Sequence, residues 1–160
     1  MKTVAILLVL TVLVAGTAIG YLYMSSNATI DQVNVVAVDG ADQKELFENL
    51  KEQIRENRLV GTPFQTADLG EAEEYVFYRY TVTLKNDTAV KAEAAELQIT
   101  PLEGDVLQMG DPEEHVIRAG ATGDIDGVLL TRKDSRNVRE LTASFYIWGL
   151  PLTLKTTYGK

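Results

Sequence analysis

His115 is the only histidine in the 160-residue chain, and there is no cysteine. A serine-histidine-acid relay would have to use His115, with Ser135 or Ser144 as nucleophile. Neither serine stands in the Gly-x-Ser-x-Gly turn that would present it, so a solvated histidine at the start of a strand is the simpler reading. Hard cations such as calcium take carboxylate oxygens, and three acidic groups offer them: Glu71, Glu73 and Glu74; Asp111, Glu113 and Glu114; Asp124 and Asp126. The last two, in the run Asp-Ile-Asp-Gly, point the same way if they sit in a loop. Each group lacks the spacing and final glutamate of an EF-hand, and acidic runs are usually solvated faces. The expectation is no catalytic residue, no metal ligand and no cofactor. Absent thiols also exclude thiol catalysis, disulfide exchange and thiolate metal sites.

Contact is the other chemistry that side chains supply. Arg132, Lys133, Arg136 and Arg139 gather in the basic segment TRKDSRNVRE of an otherwise acidic chain. Such a segment suits an acidic partner, lipid headgroups or wall polymers; its plainer reading is a charged hairpin loop. Phe77 falls on the polar face of its expected strand, and Tyr146 and Trp148 on the less apolar face of theirs, so these three rings are candidates for partner contact. Asn27-Ala28-Thr29 and Asn86-Asp87-Thr88 are glycosylation sequons, with meaning only in a source that glycosylates exported proteins.

What positions these residues begins with residues 4–24, VAILLVLTVLVAGTAIGYLYM, a run without a charge. About 20 apolar residues at about 1.5 Å each cross a bilayer core. Lys2 and the amino terminus keep the short N-terminus cytoplasmic and send the rest outward, while Tyr21 and Tyr23 suit the water-lipid interface on the exit side. A cleaved signal peptide competes, because Gly16 with Ala18, or Ser26 with Ala28, has peptidase-like spacing. The run, however, exceeds the ~7–15 residues of an ordinary signal core. Gly16 and Gly20, four apart, would let a second helix, including one from another copy of the chain, approach closely; two unrelated glycines are an equal reading. The expected division is a transmembrane anchor over residues 1–25 and one extracytoplasmic domain over residues 26–160, joined by a short polar tether.

All 23 acidic and 14 of the 15 basic residues lie beyond residue 25, so that part carries a net charge of −9. Nucleic acid and anionic membranes call for a basic face and are disfavoured as partners. An exported domain without disulfides leans towards a bacterial or archaeal surface. Alternation predicts a first strand over residues 30–38 and the clearest one over 75–85, with Val76, Tyr78, Tyr80, Val82 and Leu84 on one face and Arg79, Thr81, Thr83 and Lys85 on the other. Between them the period changes. Leu46, Phe47, Leu50 and Ile54 predict an amphipathic helix over 42–58, with Asp42 and Glu45 as a capping box and Gly61 and Pro63 as the stop. Further strands are expected over 90–102, 106–109, 115–118, 125–130, 141–148 and 152–158. Residues 149–151 form either a hairpin or a bulged continuation.

Many short strands and a single helix for crossovers predict a two-sheet antiparallel sandwich. The run YTVTLKNDTAVKAEAAELQITPLEGDVLQ, then IRAGATGDIDGVLL, resembles the strand layout of membrane-anchored immunoglobulin-like domains, including LEA14-type and adhesion-like sandwiches. The resemblance covers residues 80–130 and implies a β-sandwich fold with a scaffolding or binding habit and no catalytic residues. The helix over 42–58 departs from the plain immunoglobulin layout. Two function classes remain: a single-pass, membrane-anchored structural or protein-interaction module, and an exported ligand- or cation-binding accessory domain.

Overall fold

The computed structural model describes residues 2–24, 27–64, 69–111, 113, 115–136 and 138–159, and only the backbone of residues 2, 3 and 22–24. Ser25, Ser26, Pro112 and Glu114, and the side chain of Tyr23, thus lie outside the described residues. The apolar run is one helix, α1 (Lys2–Met24). Thr11 and Thr17 donate their hydroxyls to Leu7 O and Leu13 O at 2.9 Å, so these two polar side chains are satisfied within the helix. None of Val4–Tyr21 is buried, although its mean hydropathy is 2.4.

Period-two alternation produces nine strands: β1 (Ala28–Asp39), β2 (Thr62–Pro63), β3 (Tyr75–Asn86), β4 (Ala92–Ile99), β5 (Asp105–Gly110), β6 (His115–Ile117), β7 (Thr122–Arg132), β8 (Arg139–Ile147) and β9 (Leu150–Tyr158). They pair into two antiparallel sheets, of order β1-β3-β7-β5-β2 and β6-β4-β8-β9. The short β2 lay below the reach of the sequence pattern. Tyr80, Val82, Leu84, Ile125 and Leu129 of the first sheet share one buried cluster with Leu97, Ile99, Leu141, Phe145 and Ile147 of the second, so the sheets face each other across a common core. Gln108 ties them with its side chain: its Oε1 accepts from Ile99 N at 3.0 Å and its Nε2 donates to Leu97 O at 2.9 Å. β4 carries a bulge at Ala94, whose φ is 48°.

A second apolar cluster lies on the opposite face of the five-stranded sheet, under α2 (Lys44–Arg55). Phe47, Leu50 and Ile54, at i, i+3 and i+7, pack against Tyr75, Phe77, Val106, Leu107 and Leu130; the Phe47 and Tyr75 ring centroids are 5.1 Å apart. The helix differs from expectation in three ways. Leu46 is off the stripe and 44% exposed. Asp42 makes no capping box: residues 40–43 are a 3-10 turn capped by Asp39, which accepts from Ala41 N at 3.0 Å, and α2 begins at Lys44 without a side-chain cap. The helix also ends before Gly61, because Asn57 takes a left-handed φ of 54° just past it. Gly40 belongs where it stands for a packing reason, since a Cβ there would collide with Ala72 O and lie 2.9 Å from Tyr75 O.

Candidate functional site

Strand register sorts the candidate residues to two ends of the β domain. Ala28 pairs with Asn86, Lys85 with Thr122, and Ala92 with both Ile117 and Ile147, so the start of β1 and the 87–91, 118–121 and 148–149 connections all lie at the end joined to α1. At the far end are the turn after Asp39, the 103–104 turn and the basic segment after β7.

The far end is charged. Arg132 faces Glu74 and Asp134, each at 3.6 Å, and Lys133 reaches Asp39 at 2.6 Å. The hydrogen bond from Lys133, with a second from Ala41 N, holds the Asp39 carboxyl below the usual carboxylate range. Arg132, Lys133 and Arg136 are exposed. Arg139, grouped with them by sequence, is instead 1% exposed and forms a two-pronged pair with Asp105, Nη1 to Oδ2 at 3.0 Å and Nη2 to Oδ1 at 2.8 Å. It is removed from the contact candidates: a guanidinium there bridges the start of β8 to the start of β5, one from each sheet. Asp105 Oδ2 also accepts from Leu102 N at 2.7 Å. Nearby, burial pushes the Tyr80 hydroxyl pKa up.

The end joined to α1 is closed by an amide. Asn86, 1% exposed, donates Nδ2 to Val90 O, Ile117 O and Arg118 O at 2.8–3.2 Å, while its Oδ1 accepts from Thr88 N and Thr88 Oγ1. The second sequon therefore falls on an occupied, buried nitrogen and is not a glycosylation acceptor in the folded domain. Asn27, in the first sequon, is exposed. At this end Trp148 is 61% and Tyr146 46% exposed. Trp148 belongs to no strand; with Gly149 it forms a two-residue hairpin turn between the paired residues Ile147 and Leu150, with φ of 56° and 73°. This settles the 149–151 alternatives as a hairpin. Phe77 is corrected in the opposite sense. At 5% exposed it lies beneath α2, because its strand face is polar only beyond the helix's cover.

That uncovered stretch of sheet carries Arg79, Thr81 and Thr83 beside Asp124 and Asp126. Thr83 donates to Asp124 at 2.6 Å; Thr81 and Arg79 donate to Asp126 at 2.5 Å. Burial raises the Asp126 pKa, but those hydrogen bonds and the Arg79 charge outweigh it and leave the net shift downward. The two acids sit on a strand rather than in a loop, and both Asp126 oxygens and Asp124 Oδ1 accept from cross-strand partners. Among the described residues no group of three histidines or acids is placed to hold a metal ion.

His115 begins β6 with Nε2 3.1 Å from Asp111 Oδ2, out of line for a hydrogen bond. Ser135 donates to Glu103 O at 3.4 Å, far from any relay with it. His115, Asp111, Gln108, Asp126 and Gly61 line a cavity of about 250 Å³ beside the β4 bulge. On α1, a Cβ added to Gly16 or Gly20 would meet nothing within 4 Å, and Tyr21 is exposed.

No family model matches the chain, and no curated protein matches it. Among solved structures it is similar to the crystal structure of a FixG-related protein from Vibrio parahaemolyticus, at 12% identity and a TM-score of 0.35, with 81% of this chain and 96% of that one covered. A likeness so distant carries no argument about function.

Proposed function

We propose that this chain is a single-pass, membrane-anchored module whose β domain lies outside the cytoplasm and binds another exported or membrane protein without chemistry of its own. One observation carries the reading: an 18-residue stretch, Val4–Tyr21, that is apolar and entirely unburied by the rest of the chain. Leaving so much apolar surface in water is unfavourable at about 25 cal/mol per Å², so lipid is its natural cover unless it is cut off as a signal sequence. The two facing antiparallel sheets support the immunoglobulin-like, LEA14-type sandwich, with α2 as an addition on its outer face. The exposed cations Arg132, Lys133 and Arg136 on the far tip are where an acidic partner protein would dock. The test is alkaline carbonate extraction of membranes holding the full-length protein, with protease added from outside and N-terminal sequencing. Retention in the membrane with Met1 intact and a cleavable β domain is expected; a soluble chain beginning after Ala18 or Ala28 would sink the anchor.

A second reading, an exported ligand- or cation-binding accessory domain, is favoured by the cavity at Gln108, Asp111 and His115. It predicts that a bound ligand raises the melting temperature by linkage. Titrations with calcium and with small polar solutes that leave the melting temperature unchanged would remove it.

A further inference from the structure

We infer that the Trp148–Gly149 turn is a second membrane contact, seating the β domain on the lipid interface beside its anchor. The inference rests on the anchor reading of α1. α1 ends at Met24, and Asn27 is already fixed in the domain, its carbonyl accepting from Asp87 N at 3.0 Å. Three Cα steps separate these residues, a span of no more than about 11 Å. The end of the domain that holds Asn27 is therefore held at the surface from which α1 emerges, whereas the basic tip lies a β1 length away, roughly 35–40 Å for 12 residues.

The turn is on the same side of that end as the tether. β1 and β9 are neighbouring edges of the two sheets, and both run away from the anchor: Ala28 and Ile30 of β1 pack on the same cluster as Leu152 and Leu154 of β9. The side chains presented there suit an interface. Trp148, Tyr146 and Leu150 are exposed, and so is Tyr21 near the end of α1. Trp and Tyr concentrate at the water-lipid boundary because one part of the ring is apolar and another can bond to water. The charges at this end largely answer one another, Lys85 with Asp87 at 3.0 Å and Lys91 with Glu93 at 2.5 Å, on a domain that is acidic overall. The contact therefore needs no anionic lipid.

The backbone adds an independent point. A two-residue turn of this kind requires left-handed φ at both positions and favours Asn-Gly, yet the first is filled by tryptophan. The residue is locally unfavourable, and what it supplies is a large exposed ring in the turn at the end of the sheet.

Trp148 is the only tryptophan in the chain, so its fluorescence reports this site alone. The full-length protein is reconstituted into phosphatidylcholine vesicles, with flotation after a carbonate wash checking the anchor. Expected are a blue-shifted emission, quenching by lipid brominated near the headgroup end of its chains, and loss of acrylamide quenching relative to a control. The control moves the reporter to the far tip by combining Trp148→Tyr with Arg136→Trp; its emission is red-shifted and acrylamide-quenched. A chain that floats while Trp148 is quenched by acrylamide and not by brominated lipid overturns the inference and leaves the anchor standing. Quenching by neither overturns it too, in favour of a ring covered by a second copy. A chain that does not float removes the anchor and this contact together.

Discussion

At the end of the domain joined to α1, the sheets are closed by a neutral amide, Asn86, bonded to three backbone carbonyls and to Thr88. At the other end they are closed by an ion pair, Asp105 with Arg139, of comparable burial. Both links pair buried polar groups, with Arg139 Nε left without a partner in the second, and they fail differently. An amide that loses its partners strands dipoles, at roughly 1–3 kcal/mol per group, whereas an ion pair that loses one partner strands a charge, at about 3–5 kcal/mol. The far end carries the ion pairs of Arg132 with Glu74 and Asp134 and of Lys133 with Asp39, and the near end those of Lys85 with Asp87 and Lys91 with Glu93, beside the exposed Trp148 and Leu150.

The comparison breaks most visibly at the ion pair. Asp105→Ala leaves the Arg139 charge buried and is expected to cost about 3–5 kcal/mol in chemical denaturation of the full-length protein in detergent. Combining Asp105→Leu with Arg139→Met should restore most of that loss, since no charge is left behind. If the double variant is as unstable as the single one, Arg139 does more than answer Asp105. Asn86→Ala should cost less, about 1–3 kcal/mol, by taking the side-chain donor from Ile117 O and the acceptor from Thr88 N, while Val90 O keeps its bond from Thr88 Oγ1 and Arg118 O its bond from Ala121 N. Asn86→Asp should not rescue it, because a carboxylate cannot donate to Ile117 O. A wild-type-like denaturation midpoint for Asn86→Asp would refute the assigned donor role.

Trp148→Gly sharpens the contrast by reversing sign at the same end. Relief of the left-handed conformation should stabilise by about 1 kcal/mol, read as an upward shift of the unfolding midpoint. No gain would mean that the ring packs on something within the chain. The smallest effect is on acid stability. Asp39, Asp126 and Glu140 all have lowered folded pKa values, owing to Lys133, to Thr81 with Arg79, and to Lys155 respectively. A depressed carboxylate stabilises fully above its unfolded pKa, about 3.9–4.3, and that share is lost as pH falls through the lower folded value. Stability measured from pH 6 downward should thus hold until about pH 4 and then decline. Lys133→Ala should remove only the Asp39 share of that decline. An unchanged acid limb in that variant would show the Lys133–Asp39 pair to be without consequence.

Much of this was legible in the chain because it is local. Alternation in YVFYRYTVTLK placed Tyr80, Val82 and Leu84 inward, and the three-four spacing of Phe47, Leu50 and Ile54 placed a helix. Arg139 and Phe77 were misplaced for one shared reason: a residue's neighbours from other elements are absent from its own segment. Arg139 came after a run of exposed cations and gave no sign that Asp105, 34 positions away, would face it. Phe77 occupied the polar side of its strand until α2 was laid over that side. Trp148 continued an alternation that the hairpin cut off, since the left-handed φ that ends the strand there leaves no mark in the side-chain pattern.

The sequence by itself determined the apolar helix, the β character of most of the remaining chain, the single amphipathic helix and the acidic surface, because each depends on composition or on a short repeat. The tertiary structure alone decided which polar residues are buried, which ring is left outside, and which loops share an end with α1. Those depend on strand register and on how the two sheets face, and contacts between residues tens of positions apart leave no periodic trace in the chain.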